Sequence, residues 1–62
     1  MNYMHLRYLD DVVIPLLETE MRFHRGRADD TSLGFPKQCW HRERLNLLTA
    51  ARDRLEKILE VS

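Results

Sequence analysis

The sequence predicts an all-α fold in which two helices pack side by side as an antiparallel hairpin. Two segments repeat apolar residues at steps of three and four, which is the period of a helix with one buried side. A segment of turn-forming residues without any period, 26–35, separates them. The chain has only two glycines and two prolines. Its abundant Leu, Arg and Glu are good helix formers. A short connection between two helices favours antiparallel packing, so we expect one domain over residues 1–62.

The first helix is predicted over about residues 3–25, judged from the length of its periodic pattern. Pro15 lies inside this pattern, lacks a backbone N–H and clashes with the carbonyl four residues earlier, which predicts a kink or break near residues 11–14. Gly26 follows a last turn rich in Arg and His, and we expect it to end the helix. The residues expected to face the second helix are Leu6, Leu9, Val13, Leu16, Glu20 and Phe23.

The second helix is predicted over about residues 36–61, after a loop of about residues 26–35, with Pro36 in its first position. Pairing the two helices outward from the loop places Glu20 opposite Arg44. A charge held in a core needs a partner, so these two side chains are predicted to form a structural ion pair. The residues expected to face the first helix are His41, Arg44, Leu48, Ala51, Leu55 and Ile58.

A chain of 62 residues has room for only a thin core, and its single cysteine excludes an internal disulfide. The first helix also carries apolar residues beside its main stripe, so one neighbouring helix does not cover it. We therefore expect a homodimer packed as a four-helix bundle, or else the docking of a different protein on this strip. The predicted protein interface consists of Tyr3, Tyr8, Ile14, Leu17 and Met21.

Composition argues against several classes of function. Ten basic and ten acidic residues leave no net charge to attract nucleic acid or membrane. The longest uncharged apolar run, residues 12–17, is too short to cross a bilayer. One cysteine, Cys39, indicates a reducing compartment, and we expect the protein in the cytoplasm.

No pattern of residues predicts catalysis, a cofactor or a metal. The sequence has no Ser/His/Asp or paired-carboxylate spacing typical of an active site. Cys39 and His41 lie two residues apart on a helix, point in nearly opposite directions and do not share a metal ion. We expect a protein that is not an enzyme.

Basic and aromatic residues do alternate near the predicted loop. Such a mixture suits phosphate contact together with stacking, which favours a phosphate-bearing small ligand, a nucleotide or a nucleic acid. Helix C-termini, however, attract Arg and His through the helix dipole alone. The candidate anion-binding residues are Arg25, Arg27, Lys37, Trp40, His41 and Arg44.

The function that these observations favour is a small protein-interaction module, a dimeric regulator or inhibitor of a protein target. Its size and architecture resemble those of small two-helix regulators made by plasmids and phages, which dimerise and bind a host protein or a signalling nucleotide. The alternatives are a binder of a phosphate-bearing ligand, a nucleic-acid-binding regulator, and a subunit of a larger complex.

Overall fold

The computed structural model describes the backbone of residues 3–61 and the side chains of residues 5–61. This part of the chain is helical except for short connections, and it contains no strand, which confirms the predicted all-α class with two helices. The elements are helix α1 (Tyr3–Tyr8), a π-helical segment (Leu9–Val13), helix α2 (Ile14–Ala28), a 3-10 helix (Thr31–Leu33) and helix α3 (Phe35–Val61).

The π-helical segment lies directly before Pro15. Because proline has no backbone N–H, it cannot donate the regular helical hydrogen bond to the carbonyl of Asp11. The preceding residue, Ile14, donates its N–H to the carbonyl of Leu9, five residues earlier. The hydrogen-bond pattern therefore widens in the turn before the proline, as it does in the single π-turns found inside other helices. A kink in the axis at this point stays a prediction.

The turn between α2 and α3 differs from the prediction in which glycine ends the first helix. Helix α2 continues past Gly26 to Ala28, and the glycine with positive φ is Gly34 (φ 87), directly before α3. Asp30 caps the intervening 3-10 helix by accepting hydrogen bonds from the Ser32 backbone N–H (3.0 Å) and hydroxyl (2.6 Å). These bonds favour the carboxylate and hold the pKa of Asp30 below its usual value.

Helix α2 buries one row of side chains against α3, and the row repeats at steps of three and four. Its buried members are Ile14, Met21, His24 and Ala28. The facing row of α3 is half-buried and has the same spacing; it consists of Gln38, His41, Leu45, Leu48, Arg52, Leu55 and Leu59. The helices run antiparallel, as two contacts between them show. Gln38 Nε2 donates to the Ala28 carbonyl (3.2 Å) near the turn, and Arg52 lies 3.8 Å from Glu18 farther along the hairpin.

The row that faces α3 is not the predicted one, because Leu16, Glu20 and Phe23 point outward and are exposed. Periodicity could not choose between the two rows, since both repeat at steps of three and four. The cost of burying polar groups does distinguish them. The observed row contains one titratable side chain, His24, which is hydrogen-bonded, whereas the predicted row would bury the carboxylate of Glu20.

Candidate functional site on an open face of the hairpin

The two broad sides of the hairpin differ in chemistry. One side, which we call the open face, carries large apolar side chains that the hairpin leaves exposed to water. They are Leu16 (62% exposed), Phe23 (51%), Trp40 (50%), Leu47 (64%) and Ile58 (37%). Scattered exposed apolar residues are normal in proteins, but several on one side indicate an interaction surface.

The opposite side, which we call the charged face, carries a network of ion pairs around Arg52. Its guanidinium lies 3.8 Å from Glu18 of α2, 3.1 Å from Asp53 and 3.9 Å from Glu56. Nearer the turn, Arg42 lies 3.8 Å from Asp29. Exposed pairs of this kind contribute about 0–1 kcal/mol each, so they add little stability, but they keep this side hydrated.

The angular positions of the side chains on α2 separate the two faces. Residues two apart on a helix point about 200° apart, so Glu18 and Glu20 lie on opposite sides of the row that packs on α3. Glu18 lines a depression together with Arg22, Arg25 and Arg52 on the charged face. Glu20 lines a cavity on the other side, and Leu16 and Phe23 lie one helical turn away from it.

The cavity on the open face has a volume of about 390 Å³. Its lining combines one acidic, one basic and two aromatic side chains with two leucines, namely Glu20, His24, Trp40, Arg44, Leu47 and Leu48. Its volume falls at the lower end of the range typical of ligand pockets, about 300–1,000 Å³.

His24, which lines this cavity, is paired with His41 of α3. Nδ1 of His24 lies 2.8 Å from Nδ1 of His41, so one imidazole donates its N–H and the other accepts. The ring of Phe23 contacts both imidazoles edge-on, and Trp40 does so from the side of α3. Desolvation, followed by the positive charges of His24 and Arg27, lowers the pKa of His41. These surroundings favour the neutral form of the His41 imidazole.

The predicted ion pair between Glu20 and Arg44 is not formed within the chain, although both side chains line the same cavity. Oε2 of Glu20 lies 3.6 Å from Nε2 of His24. The guanidinium of Arg44 lies over the ring of Trp40, 5.1 Å from its centre. Both groups are exposed rather than buried, so the core does not force them together.

The predicted protein interface is wrong for the residues that prove to be core. Ile14 (6% exposed) and Met21 (4%) lie between the helices, and Leu17 is half-buried in the same row. Tyr8 is exposed, and the side chain of Tyr3 lies outside the described part of the chain. Sequence reasoning missed the open face because it assigned Leu16 and Phe23 to the core. The charges at Glu18, Arg22 and Arg25, one residue away from the buried row, were the available signal.

The six candidate anion-binding residues are not gathered at one point. Arg25 lines the depression on the charged face, whereas Trp40 and Arg44 line the cavity on the open face. The guanidinium of Arg27 lies over Phe23, 5.4 Å from the ring centre. Lys37 is exposed in the first turn of α3, and His41 is engaged with His24.

The part of the chain that the structure describes contains neither a cluster of metal ligands nor a membrane-spanning helix. No three His, Cys, Asp or Glu side chains of residues 5–61 are grouped so that they could hold a metal ion. Within the described helices, none combines the length and the apolar character that crossing a bilayer requires. Cys39 is half-buried and carries a free thiol.

Comparison with known proteins found no matching family model, no matching curated protein and no matching solved structure.

Proposed function

We propose that this chain is a protein-interaction module without enzymatic activity, which forms a homodimer through its open face and regulates or inhibits a protein target. The two hairpins pack face to face as a four-helix bundle, with the first helix kinked at the π-helical segment before Pro15. The observation that carries the proposal is the concentration of exposed Leu16, Phe23, Trp40 and Leu47 on one side of the hairpin.

The size of the open face supports a dimer. The hairpin measures 45 by 15 by 11 Å, so its broad side offers roughly 700 Å², close to the 800 Å² or so per partner of a standard interface. The accessible surface of the chain, 4919 Å², exceeds the roughly 4,200 Å² typical of a folded monomer of this mass. A second hairpin on the open face removes this excess.

Sedimentation of two matched variants tests the dimer. Leu47→Arg places a charge on the open face, and Asn46→Arg places the same charge on the neighbouring residue of α3, turned about 100° toward the charged face. We expect the wild type and Asn46→Arg to sediment as dimers and Leu47→Arg as a folded monomer. A monomeric wild type, or equal behaviour of the two variants, contradicts the proposal.

We propose that the target binds the dimer at its loop end, where Phe35 is 77% exposed at the start of α3. Affinity capture from the source cell with wild-type protein and with Phe35→Ala tests this part. We expect the wild type to capture a specific protein that Phe35→Ala does not capture, while the wild type and the variant both remain dimeric. Identical sets of retained proteins contradict the loop end as the target-binding surface.

The cavity on the open face supports a second candidate, the binding of a phosphate-bearing ligand between Trp40 and Arg44. Arg guanidinium groups bind phosphate well, and aromatic rings stack on bases. A ligand present at about 100 times its dissociation constant stabilises a protein by about 2.7 kcal/mol, which a thermal-shift screen of nucleotides detects. Arg44→Gln abolishes the shift if the cavity is the site. Dimerisation covers this cavity, so the two candidates compete for the same surface.

We place the protein in the cytoplasm, since an accessible free thiol such as that of Cys39 persists in a reducing compartment. Cell fractionation of the source organism tests this assignment.

A further inference from the structure

Glu20 and Arg44 are an unusual pair of charges because they line one cavity among the large apolar side chains of the open face. Both line the 390 Å³ cavity, at the same height along the hairpin, yet no ion pair joins them. Covering this face with an apolar partner would remove water from an acid and a base at once. Leaving either of them unpaired in such an interface is costly, so whatever covers the face must supply opposite charges.

Both groups keep bonding capacity for a partner. His24 approaches only one carboxylate oxygen of Glu20, at 3.6 Å, which leaves the other oxygen to accept hydrogen bonds. The guanidinium of Arg44 lies over the ring of Trp40, 5.1 Å from its centre, and an arginine held over an aromatic ring keeps N–H groups available for other acceptors. Among the described residues, no hydrogen bond or ion pair uses those N–H groups.

A second copy of this chain supplies the missing charges in one particular orientation. A two-fold axis along the length of the hairpin places α2 of one copy over α3 of the other and leaves every residue at its original height. Because Glu20 and Arg44 share one height, each then lies opposite the other residue of the second copy. A two-fold axis across the hairpin would instead place the loop ends at opposite ends of the bundle and separate the charges.

Resting on the dimer proposed above, we infer that Glu20 of one copy and Arg44 of the other form two symmetric ion pairs across the open face, which fix both loop ends at the same end of the bundle. The Trp40 ring beneath each guanidinium holds it in position, and the arrangement excludes apolar partners that lack the matching charges. The pair predicted from the sequence is therefore made between chains instead of within one.

Mixing two charge-reversed variants tests this inference. Glu20→Arg carries two arginines at the site and Arg44→Glu carries two glutamates, so each repels its own copy and attracts the other. Both positions are exposed, so the variants keep their helical circular dichroism. We expect each variant alone to dimerise at least about tenfold more weakly than the wild type, and their equimolar mixture to sediment as a heterodimer.

The outcomes separate the pairing from the dimer itself. A monomeric wild type overturns both proposals. A dimeric wild type whose two variants remain dimeric alone, or fail to associate when mixed, overturns the pairing and leaves the dimer intact. An ion pair within one chain would be restored in the double variant Glu20→Arg/Arg44→Glu but not by mixing the single variants, so the mixture distinguishes the two cases.

Spin labels provide a measurement of orientation that does not depend on the strength of association. Phe35→Cys in a Cys39→Ser background places one label at each loop end. With helices packed about 8–10 Å apart, the inferred bundle keeps the two labels within roughly 30 Å. The opposite orientation separates them by close to the 45 Å length of the hairpin. A separation of that size overturns the inference.

Discussion

Helices α2 and α3 contribute unequally to the core. The 15 residues of α2 contain all four residues that are buried in the described part of the chain, whereas the 27 residues of α3 contain none. Helix α3 is the longer element, and its Leu59 lines a depression together with Leu6 of α1 and Asp10 of the π-helical segment. Its apolar residues are only half-covered because one neighbouring helix covers one row of them.

This difference indicates that the two helices have different roles. The buried row of α2 holds the hairpin together, while α3 has a second row, represented by Trp40, Leu47 and Ile58, that the hairpin leaves exposed. Substitutions in the buried row of α2 should therefore change folding stability, and substitutions in the outer row of α3 should change association. The predictions below test this division.

The largest effect is expected at Met21, which is 4% exposed at the centre of the α2 row. Removing most of a buried Met side chain leaves a cavity, and Met21→Ala should lower the free energy of unfolding by about 2–5 kcal/mol. Leu47→Ala in α3 is the control and should cost at most about 0.5 kcal/mol in dilute, monomeric protein. Urea unfolding followed by circular dichroism measures both. A larger loss at Leu47 would reverse the roles assigned to the two helices.

The second largest effect concerns the residue that precedes α3. Gly34 has φ 87 and ψ 158, a backbone conformation open almost only to glycine. A Cβ there would meet no atom within 4 Å, so any loss in Gly34→Ala comes from the backbone itself. We expect the substitution to cost about 1–3 kcal/mol in the free energy of unfolding.

Gly26 is the matched control, because it lies inside α2 and a Cβ there also meets nothing within 4 Å. Gly26→Ala should stabilise the protein by about 0.5–1 kcal/mol, since alanine is the better helix former. Thermal unfolding of both variants should give shifts of opposite sign. Equal shifts would show that the backbone at Gly34 accepts a residue with a Cβ without strain.

The sequence was sufficient to predict the helices and, through His41, Leu48 and Leu55, much of the side on which α3 packs, but not the side on which α2 packs. The two periodic segments and the turn-forming segment between them predict the hairpin, because local spacing and composition determine these features. The choice between the row of Leu16, Glu20 and Phe23 and the row of Met21 and His24 depends on a rotation of about 100°, which leaves the period unchanged.

The candidate site depends on the same rotation. Trp40 and Arg44, which the sequence predicts to bind an anion near the loop, line the cavity on the open face, and their role in binding stays a prediction. The hydrogen bond between His24 and His41 could not be predicted, since it joins residues 17 positions apart whose contact depends on the rotation of both helices. Glu20 and Arg44 were expected to be neighbours, and the structure gives each of them a different contact within the chain.

The smallest effect concerns the polar contact between the two helices, where His41 of α3 meets the buried His24 of α2. Desolvation, followed by the charges of His24 and Arg27, lowers the pKa of His41 below its ordinary value of 6.5. The folded chain then binds a proton less readily than the unfolded chain. The contribution of His41 to stability is therefore fully present above an ordinary histidine pKa of about 6.5 and is lost as the pH falls through that value toward the folded pKa.

Urea unfolding at about pH 7.5 and about pH 5.5 tests this linkage, since the interval brackets the ordinary pKa of histidine. We expect a lower midpoint at the acid pH and a smaller difference in His41→Gln, which carries no titrating group at that position. Asp30, whose pKa is also lowered, affects stability only in more acid solution, below its ordinary value of 3.8, so it does not confuse the result. An equal loss of stability in the wild type and His41→Gln between the two pH values would contradict this prediction. Protonation of His41 would then not weaken the contact between α2 and α3, and the packing of the buried α2 row alone would hold the helices together.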